Sequence, residues 1–580
     1  MERTYPGGPL NQVPKHSHIG AMLEYVANRY QDKVFMRQPD GESITFADLR
    51  DRVDRVALGL LELDANPVAG ILGDNGIGWA VAFLAVLRCG GIAVPIDREL
   101  PSPEVNTILH YAGAKVLFLS SRLSPAVSEH AGGHGRKIHR IALDGGDAGA
   151  DAWDMEALAR SGASSPLSLP EDPGLDSPAV ISYTSGTMGQ AKGVVLSARN
   201  LLSDLRGMLQ AVGLRHDEVF LSVLPMHHMY ECVCGFLCPL SHGCTVVICR
   251  GLRYIAEDLA AAGATLMLGV PLLWESMYRR VMEAVSAQPL GILKLRLGKA
   301  AASAGEMVGM SRIRKRVFSK LHSRLGGRMR FLISGGAGID PDVVRGFAEL
   351  GMELLQGYGL TECSPIVAVN RDTANRLGSV GPPLPAMDIR IEEPDEEGVG
   401  EIVVKGPNVM LGYHGRPDQT RQVLSDDGWF RTGDFGRMDD DGFLFVTGRK
   451  KNVIVAKNGK NVYPEELEHK LNRSPLIAES MVLGRKSAQK GETIWAILVP
   501  DADRMIDLVE DKGKSLTEEI AADILHGEVS RLNRSEPPYK RIARFIIRTD
   551  ELPKTTTRKI RRRDVLRESG LLQPEHTFRV

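Results

Sequence analysis

The sequence has almost no net charge and no long uninterrupted apolar run, and each absence excludes a class of protein. A formal net charge of −1 over 580 residues gives no global reason to expect a nucleic-acid partner. The apolar stretch from Trp79 to Ile96 is broken by Arg88, Gly90 and Gly91, which is typical of a helix and a buried strand and not of a membrane span. The first eight residues lack the apolar segment of a secretory signal.

Cysteine is scarce and odd in number. The chain has seven cysteines, which predicts reduced thiols and a cytoplasmic location. Five of them lie between residues 232 and 249, which raises the alternative of a zinc site. The run from Cys232 to Cys238 is apolar, however, and contains no Cys-x-x-Cys pair. We therefore predict buried, inert thiols in this segment.

What the sequence does contain is the composition of a globular enzyme, with 43% hydrophobic and 25% charged residues. Thr45 is typical of a helix N-cap, and the apolar residues that follow share one face to about Leu63. Val68–Leu72 then predicts a strand, so the order is β-α-β with a mostly parallel sheet. Residues 144–177 are rich in Gly, Ala, Ser, Pro and Asp and predict a surface excursion.

The pattern changes after about residue 380. Short alternating segments separated by glycine turns predict a small antiparallel, barrel-like β unit. We place a domain boundary after residue 447. The predicted architecture is α/β, with a large N-terminal domain (1–447) of two α/β subdomains plus the β unit, followed by a small α+β C-terminal domain (448–580).

A loop rich in glycine and hydroxyl groups runs from Tyr183 to Val194 and carries Lys192 near its end. Its glycines let the backbone approach an anion, and its hydroxyls and ammonium can donate to phosphate oxygens. A preceding apolar run predicts that the loop follows a buried strand, where α/β proteins bind nucleotides. The loop lacks the Gly-x-x-x-x-Gly-Lys-Ser/Thr spacing of nucleoside triphosphatases. A flexible surface loop is the alternative.

Polar residues in later motifs suit the other parts of a nucleotide. Tyr358, between two glycines, can present its ring to a base, or is a core tyrosine. Glu362 suits Mg²⁺, or is a surface glutamate. Asp434 suits two ribose hydroxyls, or is a turn aspartate. His228 is a pocket wall, a general base or a core histidine, and general-base catalysis is least favoured because no Asp or Ser stands at triad spacing.

Residues 294–330 are strongly basic, with eleven lysines and arginines against Glu306 alone. Two interpretations stay open. The segment is a solvated basic face, or it is a patch for peripheral contact with a membrane surface that meets an amphiphilic substrate.

Taken in order, these motifs resemble those of the acyl-adenylate-forming superfamily, which includes acyl-CoA synthetases, adenylation domains and luciferases. The resemblance extends from about residue 20 to residue 570. It is strongest to bacterial long-chain fatty-acid CoA ligases, to which Gln356–Pro365 and Arg376–Pro383 are similar.

The resemblance implies a role for each motif. The loop that wraps the ATP phosphates would comprise Thr184, Ser185, Gly186, Thr187 and Lys192. The adenine and acyl pockets would be lined by Ser334, Gly335, Gly336 and Ala337, with Gln356, Gly357 and Tyr358 flanking adenine. Thr361 would contact the α-phosphate, Glu362 would hold Mg²⁺, and Asp434 and Arg449 would bind the ribose.

Catalysis is implied for Thr184, Glu362 and Lys559, the last reaching the substrate carboxylate and the α-phosphate from a mobile C-terminal domain that pivots near Lys451. Substrate-pocket residues would be His228, Tyr230, Cys232 and Phe236. The sequence departs from the family pattern at Met188 and Ala191, where Thr and Pro are usual, and at Arg558, where Gly is usual. A length difference in Val455–Gly459 leaves the thioester-step residues unassigned.

The implied activity is that of a magnesium-dependent acid–thiol ligase of fatty acid and lipid metabolism. A medium- or long-chain fatty acid and ATP would form acyl-AMP and pyrophosphate, and coenzyme A would then yield acyl-CoA and AMP. The alternatives are a ligase that loads an acyl carrier protein, an aryl-CoA ligase, and a catalytically silent nucleotide-binding protein. Acyl length is not readable, because one methylene changes binding by only ~1–3 kcal/mol.

Overall fold

The computed structural model describes most of the chain. The described residues are 4–6, 12–128, 131, 137–146, 149, 152–171, 174–184, 192–307, 313–456, 458–486, 492–510, 515–555, 559–569 and 578–579.

The strands are, in chain order, Thr4–Pro6 (β1), Val34–Arg37 (β2), Ser43–Thr45 (β3), Val68–Leu72 (β4), Ile92–Ile96 (β5), Val116–Leu119 (β6), His139–Ala142 (β7), Trp153–Asp154 (β8), Pro178–Thr184 (β9), Lys192–Ser197 (β10), Val219–Ser222 (β11), Thr245–Ile248 (β12), Leu266–Gly269 (β13), Phe331–Ser334 (β14), Glu353–Gly359 (β15), Ile366–Val369 (β16), Asp388–Glu392 (β17), Gly400–Lys405 (β18), Gly412–Tyr413 (β19), Phe430–Met438 (β20), Leu444–Arg449 (β21), Ile454–Val455 (β22), Asn461–Val462 (β23), Ile477–Lys486 (β24), Glu492–Pro500 (β25), Arg544–Ile547 (β26) and Phe578–Arg579 (β27).

The α-helices are Ile19–Tyr30 (α1), Phe46–Leu63 (α2), Ile77–Arg88 (α3), Ser102–Ala112 (α4), Met155–Ala163 (α5), Ala198–Ala211 (α6), Cys238–His242 (α7), Ile255–Ala262 (α8), Pro271–Ser286 (α9), Gly291–Met307 (α10), Ile313–Val317 (α11), Ser319–Arg324 (α12), Pro341–Glu349 (α13), Pro417–Val423 (α14), Pro464–Leu471 (α15), Ala502–Glu510 (α16), Glu518–Ser535 (α17) and Arg562–Glu568 (α18).

Two eight-stranded sheets form the two α/β subdomains. The first has the order β19-β10-β9-β5-β4-β6-β7-β8, and the second has the order β16-β15-β14-β13-β11-β12-β2-β3. Both are parallel in their interior and antiparallel only towards one or both ends. The prediction of mostly parallel sheets made by β-α-β units is therefore confirmed.

Helix α3 lies at the centre of the largest core cluster. All of its residues except Gly78 are buried, as expected for a helix that is apolar on every side. Arg88, which interrupts the apolar stretch, is kept in this setting by ion pairs to Asp54 at 2.8 Å and to Glu24 at 3.1 Å. Within the described residues, every helix is too short or too polar to cross a bilayer.

A third sheet follows the α/β subdomains. It has five antiparallel strands in the order β1-β17-β18-β20-β21, and no closed barrel is seen among the described strands. The C-terminal part contains a β22–β23 hairpin and the sheet β24-β25-β26-β27, with its own apolar core. The predicted boundary after residue 447 falls inside β21 and stays a prediction.

Local predictions can be compared with the structure at two helices. Helix α2 begins after Thr45, whose side chain accepts a hydrogen bond from the Asp48 N–H, and it ends at Leu63 as predicted. The expected surface excursion at 144–177 instead includes helix α5, which packs against α2. The close approach of α2 and α5 depends on Gly59 in α2 and Gly162 in α5, because a Cβ at either position would overlap backbone atoms of the other helix.

The cysteines are buried as predicted. Six of the seven are buried and Cys249 is partly exposed. Burial raises the pKa of Cys89 to about 12, which keeps this thiol protonated and inert.

Candidate functional site

The two ends of the glycine loop are held together by antiparallel pairing of β9 and β10. Thr184 lies opposite Lys192 across this pair, at the carboxyl end of a largely buried strand. The first and last phosphate-binding residues of the predicted loop are therefore brought together. The predicted residues Ser185, Gly186 and Thr187, and the departures Met188 and Ala191, lie outside the described residues.

Tyr413 links the lysine of this loop to the predicted magnesium ligand. Strand β19 pairs with β10 and places the Tyr413 ring 4.7 Å from the Lys192 ammonium. The Tyr413 hydroxyl donates to Glu362 Oε1 at 3.0 Å. Glu362 is partly buried, and a carboxylate oxygen is the donor that Mg²⁺ prefers. Sequence reasoning missed Tyr413, because only the pairing of distant strands brings it here.

A second polar group forms on the third sheet. Asp434 in β20 lies opposite Arg449 in β21, and the Asp434 Oδ1 is 3.2 Å from Arg449 Nε. The other oxygen of this buried carboxylate accepts a hydrogen bond from the Tyr358 hydroxyl at 2.8 Å. Burial, followed by the Asp434 charge, raises the pKa of Tyr358 and keeps it a donor. Tyr358 thus orients Asp434, in addition to the stacking that the sequence predicts for its ring.

The glycine turn after β14 separates two side chains from different parts of the chain. A Cβ on Gly335 would lie 2.7 Å from the Tyr230 ring, so only glycine lets this tyrosine pack there. Gly336 has φ +87° and lies beside Lys559, because a Cβ there would be 3.7 Å from Cε and 4.0 Å from Nζ of Lys559. The preceding Ser334 is fully buried at the end of β14.

The remaining predicted adenine residues follow on the neighbouring strand. Gln356 and Gly357 lie in β15, which pairs in parallel with β14, so Ser334 lies opposite Gln356. Thr361 begins a short 3₁₀ helix that also contains Glu362. Ala337 is exposed in the turn that follows Gly336. Ser334 and Gln356 are thus neighbours on β14 and β15, while the contacts of all these residues with a nucleotide stay predictions.

Among the predicted nucleotide-binding residues, Lys559 alone comes from the part of the chain after β21. A turn holds it, in which Thr555 N–H donates to the Lys559 carbonyl at 2.8 Å and Lys559 N–H donates to Thr555 Oγ1 at 3.2 Å. Desolvation, followed by the Arg449 charge, lowers the pKa of Lys559 to about 8, and Asp434 opposes the shift. The side chain keeps solvent contact, and water screens part of this effect. Arg558 lies outside the described residues.

Contacts between the two parts of the chain hold Lys559 at the site. His469 in α15 lies against Gly338, where a Cβ would come within 2.8 Å of its ring. Arg473 pairs with Asp340 at 2.7 Å, and Arg504 pairs with Glu283. Lys451, the predicted hinge, lies in the 3₁₀ turn Lys450–Asn452 between the two parts.

His228 lies among groups that hold it neutral. Desolvation, followed by the neighbouring His227, lowers the pKa of His228 to about 3. A histidine with this pKa is a weak base, which fits a pocket wall and argues against general-base catalysis. Donor atoms of Asp97, His227 and His228 lie within 4.8 Å of one another, and within the described part of the chain they are the one such cluster with metal-ligand chemistry.

The other predicted pocket residues lie in the π-helix Tyr230–Leu237, a rare element that often marks functional sites. Tyr230 faces Gly335, as described above. Phe236 packs in a core cluster with Trp79 and Phe83, at ring distances of 6.1 and 6.2 Å, and Cys232 is fully buried. A pocket role for Cys232 and Phe236 therefore stays a prediction, and the structure places both in the core.

Sequence reasoning also missed Glu231 in this helix. Its carboxyl is fully buried and accepts a hydrogen bond from Ser222, and burial raises its pKa to about 8. A protonated acid is the form that such a site favours at neutral pH.

The described residues therefore bring together Lys192 at the end of the glycine loop, a carboxylate suited to Mg²⁺, an Asp–Arg pair suited to ribose and a second lysine beside a glycine turn. Comparison with known families agrees with this arrangement. Residues 23–414 match the model described as AMP-binding enzyme, and residues 466–559 match the model described as AMP-binding enzyme C-terminal domain.

Individual relatives are similar over most of their length. The long-chain-fatty-acid–CoA ligase FadD15 of Mycobacterium bovis is 30% identical over 497 residues, which are 81% of each chain. The feruloyl-CoA synthase of an Amycolatopsis species is 30% identical over 543 residues, covering 91% of this chain and 95% of that one. The crystal structure of ATP-bound MatB from Rhodopseudomonas palustris matches with a TM-score of 0.74 and 25% identity, covering 95% of this chain and 99% of that one.

The chain therefore belongs to the AMP-binding enzyme family, as an ATP-dependent acyl- or aryl-CoA ligase.

Proposed function

We propose that the protein activates a medium- or long-chain fatty acid as acyl-AMP and transfers the acyl group to coenzyme A. The observation that carries this proposal is the position of Lys559. Its side chain lies beside Gly336 and near enough to the Asp434–Arg449 pair for both charges to act on its pKa. A cation there suits two anions that must approach each other, the substrate carboxylate and the α-phosphate of ATP.

The chemistry proceeds in two displacements. A carboxylate oxygen attacks the α-phosphorus, the bond from that phosphorus to the bridging oxygen breaks, and pyrophosphate leaves. The coenzyme A thiolate then attacks the acyl carbon, and AMP leaves with the electron pair of the anhydride bond. The first step needs positioning and charge neutralisation more than proton transfer.

The protein groups divide this work. Thr184 and Lys192, with the loop between them, would bind the β- and γ-phosphates. Glu362 would hold Mg²⁺, which neutralises phosphate charge, and Tyr413 would fix the orientation of this carboxylate through its hydrogen bond. Asp434 and Arg449 would bind the ribose hydroxyls, while Gln356, Gly357 and Tyr358 would flank adenine.

The acyl group would lie near His228 and Tyr230, beyond the glycine turn. Both groups are uncharged, because the pKa of His228 is lowered and that of Tyr230 is raised. Uncharged walls favour an alkyl or aryl acid over a second carboxylate. Similarity to a long-chain fatty-acid ligase supports the alkyl acid, and similarity to a feruloyl-CoA synthase supports an aryl acid as the second candidate.

A panel of acids tests this proposal. Pyrophosphate release would be measured with acetate, octanoate, palmitate, benzoate and ferulate, each with and without coenzyme A. We expect the highest kcat/KM with octanoate or palmitate and coenzyme-A-dependent release of free AMP. A higher kcat/KM with ferulate than with either fatty acid would make an aryl acid the substrate in place of a fatty acid. Acyl-AMP formation with transfer only to a carrier protein would overturn the choice of acceptor.

A further inference from the structure

Asp97, His227 and His228 bring three side chains with metal-ligand chemistry into one place. One donor atom from each residue lies within 4.8 Å of the other two. Asp97 directly follows β5 of the first eight-stranded sheet, and the two histidines follow β11 of the second. The three ligand groups therefore come from both α/β subdomains. We call them the Asp97–His227–His228 cluster.

Hydrogen bonds fix the two turns that carry the cluster. Asn75, which follows β4 of the first sheet, donates from its amide to the Leu224 carbonyl at 2.7 Å and accepts from the Met226 N–H at 2.8 Å. This clamp ties the turn before the two histidines to the first sheet. Asp97 Oδ1 accepts a hydrogen bond from the Glu99 N–H at 2.9 Å in its own turn. The cluster is thus held in place before any ligand arrives, which favours binding.

The ring nitrogen of His227 nearest to Asp97 is a buried polar atom with no hydrogen-bond partner among the described residues. This atom, Nε2, is 3.6 Å from Asp97 Oδ1, which is too long for a hydrogen bond. Only 6% of the His227 side chain is exposed. Because buried polar atoms are nearly always paired, an orphaned nitrogen beside a carboxylate indicates a ligand that would bond to both.

The spacing and chemistry of the cluster suit a zinc ion. Two ligand atoms of a tetrahedral Zn²⁺ are roughly 3.3–3.6 Å apart, because each lies about 2.0–2.2 Å from the metal. The separation of 3.6 Å between His227 and Asp97 meets this condition. The other separations, all within 4.8 Å, need shifts of about 1 Å, which ring rotation can supply. Two imidazoles and a carboxylate suit Zn²⁺, whereas Mg²⁺ prefers oxygen ligands.

We propose that Asp97, His227 and His228 bind a zinc ion, and that the bound ion hinders acid activation. Three protein ligands would hold the metal and leave a fourth position for water. The Lys559 ammonium is near enough to act electrostatically on His228, so the metal would lie close to the reacting groups. Under the proposed function His228 borders the acyl group, and a metal at its ring would occupy part of the position of the acid. Only this hindrance rests on the proposed function.

Equilibrium titration without acid or ATP tests the zinc site. The untagged full-length protein is freed of metal with a chelator, and Zn²⁺ is added against a chromophoric competitor in excess Mg²⁺, which occupies oxygen sites. We expect one tight site per chain, and binding at least about a hundredfold weaker in His227→Leu. The matched control is His139→Leu, which removes an exposed histidine on β7 and should bind zinc like the wild type.

Cobalt identifies the ligands, because Co²⁺ takes similar ligands and is coloured. A nitrogen and oxygen site gives a visible spectrum without the thiolate charge-transfer band that binding to the cysteines between residues 232 and 249 would give. We expect this thiolate-free spectrum in the wild type and its loss in His227→Leu. A thiolate band would overturn the assignment to the Asp97–His227–His228 cluster.

Circular dichroism melting shows whether His227→Leu is folded. If it is misfolded, Asp97→Asn replaces it, because the amide oxygen can keep the hydrogen bond to the Glu99 N–H while the charge is lost. This variant should bind zinc about tenfold or more weakly. Absence of a tight site in the wild type would overturn the proposal, as would binding by the cluster variants equal to that of the wild type.

Acid-dependent exchange of pyrophosphate into ATP tests the hindrance, with free Zn²⁺ set by a metal buffer. Zinc should inhibit the wild type, and a higher acid concentration should relieve the inhibition while a higher ATP concentration should not. His227→Leu should need at least about tenfold more zinc for the same fractional inhibition. Inhibition that only ATP relieves, or zinc binding that leaves exchange unchanged, would overturn the hindrance. Normal zinc binding by a protein that activates none of the acids would count against the proposed function alone.

Discussion

The nucleotide-binding and acid-activating halves of the cleft are built in different ways. Asp434 and Arg449 are neighbours on paired strands, and Tyr358 fixes the carboxylate from β15, so this half is assembled within the N-terminal fold. Lys559 comes from the C-terminal part and is held by one turn and by surface contacts such as Arg473 with Asp340.

This difference teaches how binding and chemistry are divided. A group fixed within a folded sheet is already oriented when the nucleotide arrives, which favours binding. A charge such as that of Lys559, which is carried by the C-terminal part of the chain, can be at the active site in one half-reaction and away from it in the other. We therefore expect damage to the first half to weaken ATP binding, and damage to the second to slow adenylation alone.

The largest effect is expected for Lys559→Ala. Two unit charges 4 Å apart interact by about 4 kcal/mol at an effective dielectric of 20, which corresponds to about 10³ in rate. Acyl-AMP formation should therefore fall about a thousandfold, while thioester formation from supplied acyl-AMP is largely spared. Single-turnover measurement of each half-reaction checks this, with Arg567→Ala as a control that removes an exposed cation paired with Asp564.

Asp434→Asn should have the next largest effect and should act on binding. Hydrogen bonds to a charged group contribute about 1.5–3 kcal/mol, so kcat/KM for ATP should fall roughly ten- to hundredfold, mainly through KM. Steady-state kinetics with varied ATP measure this. Asp441→Asn, in the loop between the same two strands and exposed, should leave KM unchanged. An unchanged KM in the Asp434 variant would remove Asp434 from the ribose site.

Lys451→Pro tests whether the separate part moves between half-reactions. Proline fixes φ near −65°, which suits the 3₁₀ turn of Lys450–Asn452 and prevents other conformations. We expect near-normal adenylation and a loss of about tenfold or more in thioester formation. Lys451→Ala is the control for loss of the side chain. Equal loss in both half-reactions of the proline variant would exclude a hinge at this residue.

The pH dependence of adenylation gives a smaller effect with a defined sign. Lys559 must be charged to act, and its pKa is lowered towards about 8 from the ordinary value of 10.5. Activity should therefore be full below this pKa and fall as the pH rises through it, by up to about tenfold per pH unit in kcat/KM. Lys559→Arg stays charged and should lose this alkaline decrease. The same decrease in the arginine variant would assign it to another group.

Tyr413→Phe should have the smallest effect. The ring stays beside Lys192, but the hydrogen bond to the Glu362 carboxylate is lost. Because this bond is only partly buried, its loss should cost about 1.5 kcal/mol, the low end of the range for a charged group, or roughly tenfold in kcat/KM for MgATP. Titration with Mg²⁺ should show that the variant needs a higher Mg²⁺ concentration for half-maximal activity. Tyr254→Phe, in the 3₁₀ turn Leu252–Tyr254 and beside Arg250, is a control that should leave the titration unchanged.

Sequence patterns predicted the parts of the fold and site that depend on local residues. The limits of α2 follow from the Thr45 cap and one apolar face. The roles of Asp434, Arg449 and Lys559 rest on the resemblance of short, ordered motifs and stay predictions. Helix α5 was missed because its Gly, Ala and Ser content outweighed the apolar spacing of Met155, Leu158 and Ala159.

The positions of Tyr413 and Phe236 depend on contacts between distant segments. Tyr413 reaches Lys192 only because the two-residue strand β19 adds to the first sheet beside β10. Phe236 follows His228 closely in sequence, but it packs into the core beside Trp79. Neither position can be derived from sequence spacing, because side-chain direction in these elements is set by tertiary packing.

One crossed measurement tests the division of the cleft most directly. ATP binding at equilibrium and acid-dependent exchange of pyrophosphate into ATP would be measured for Lys559→Ala and Asp434→Asn in parallel. We predict that Lys559→Ala binds ATP within about twofold of the wild type but loses exchange about a thousandfold, whereas Asp434→Asn loses ATP binding and exchanges normally at saturating ATP. Parallel loss of binding and exchange in both variants would contradict the account.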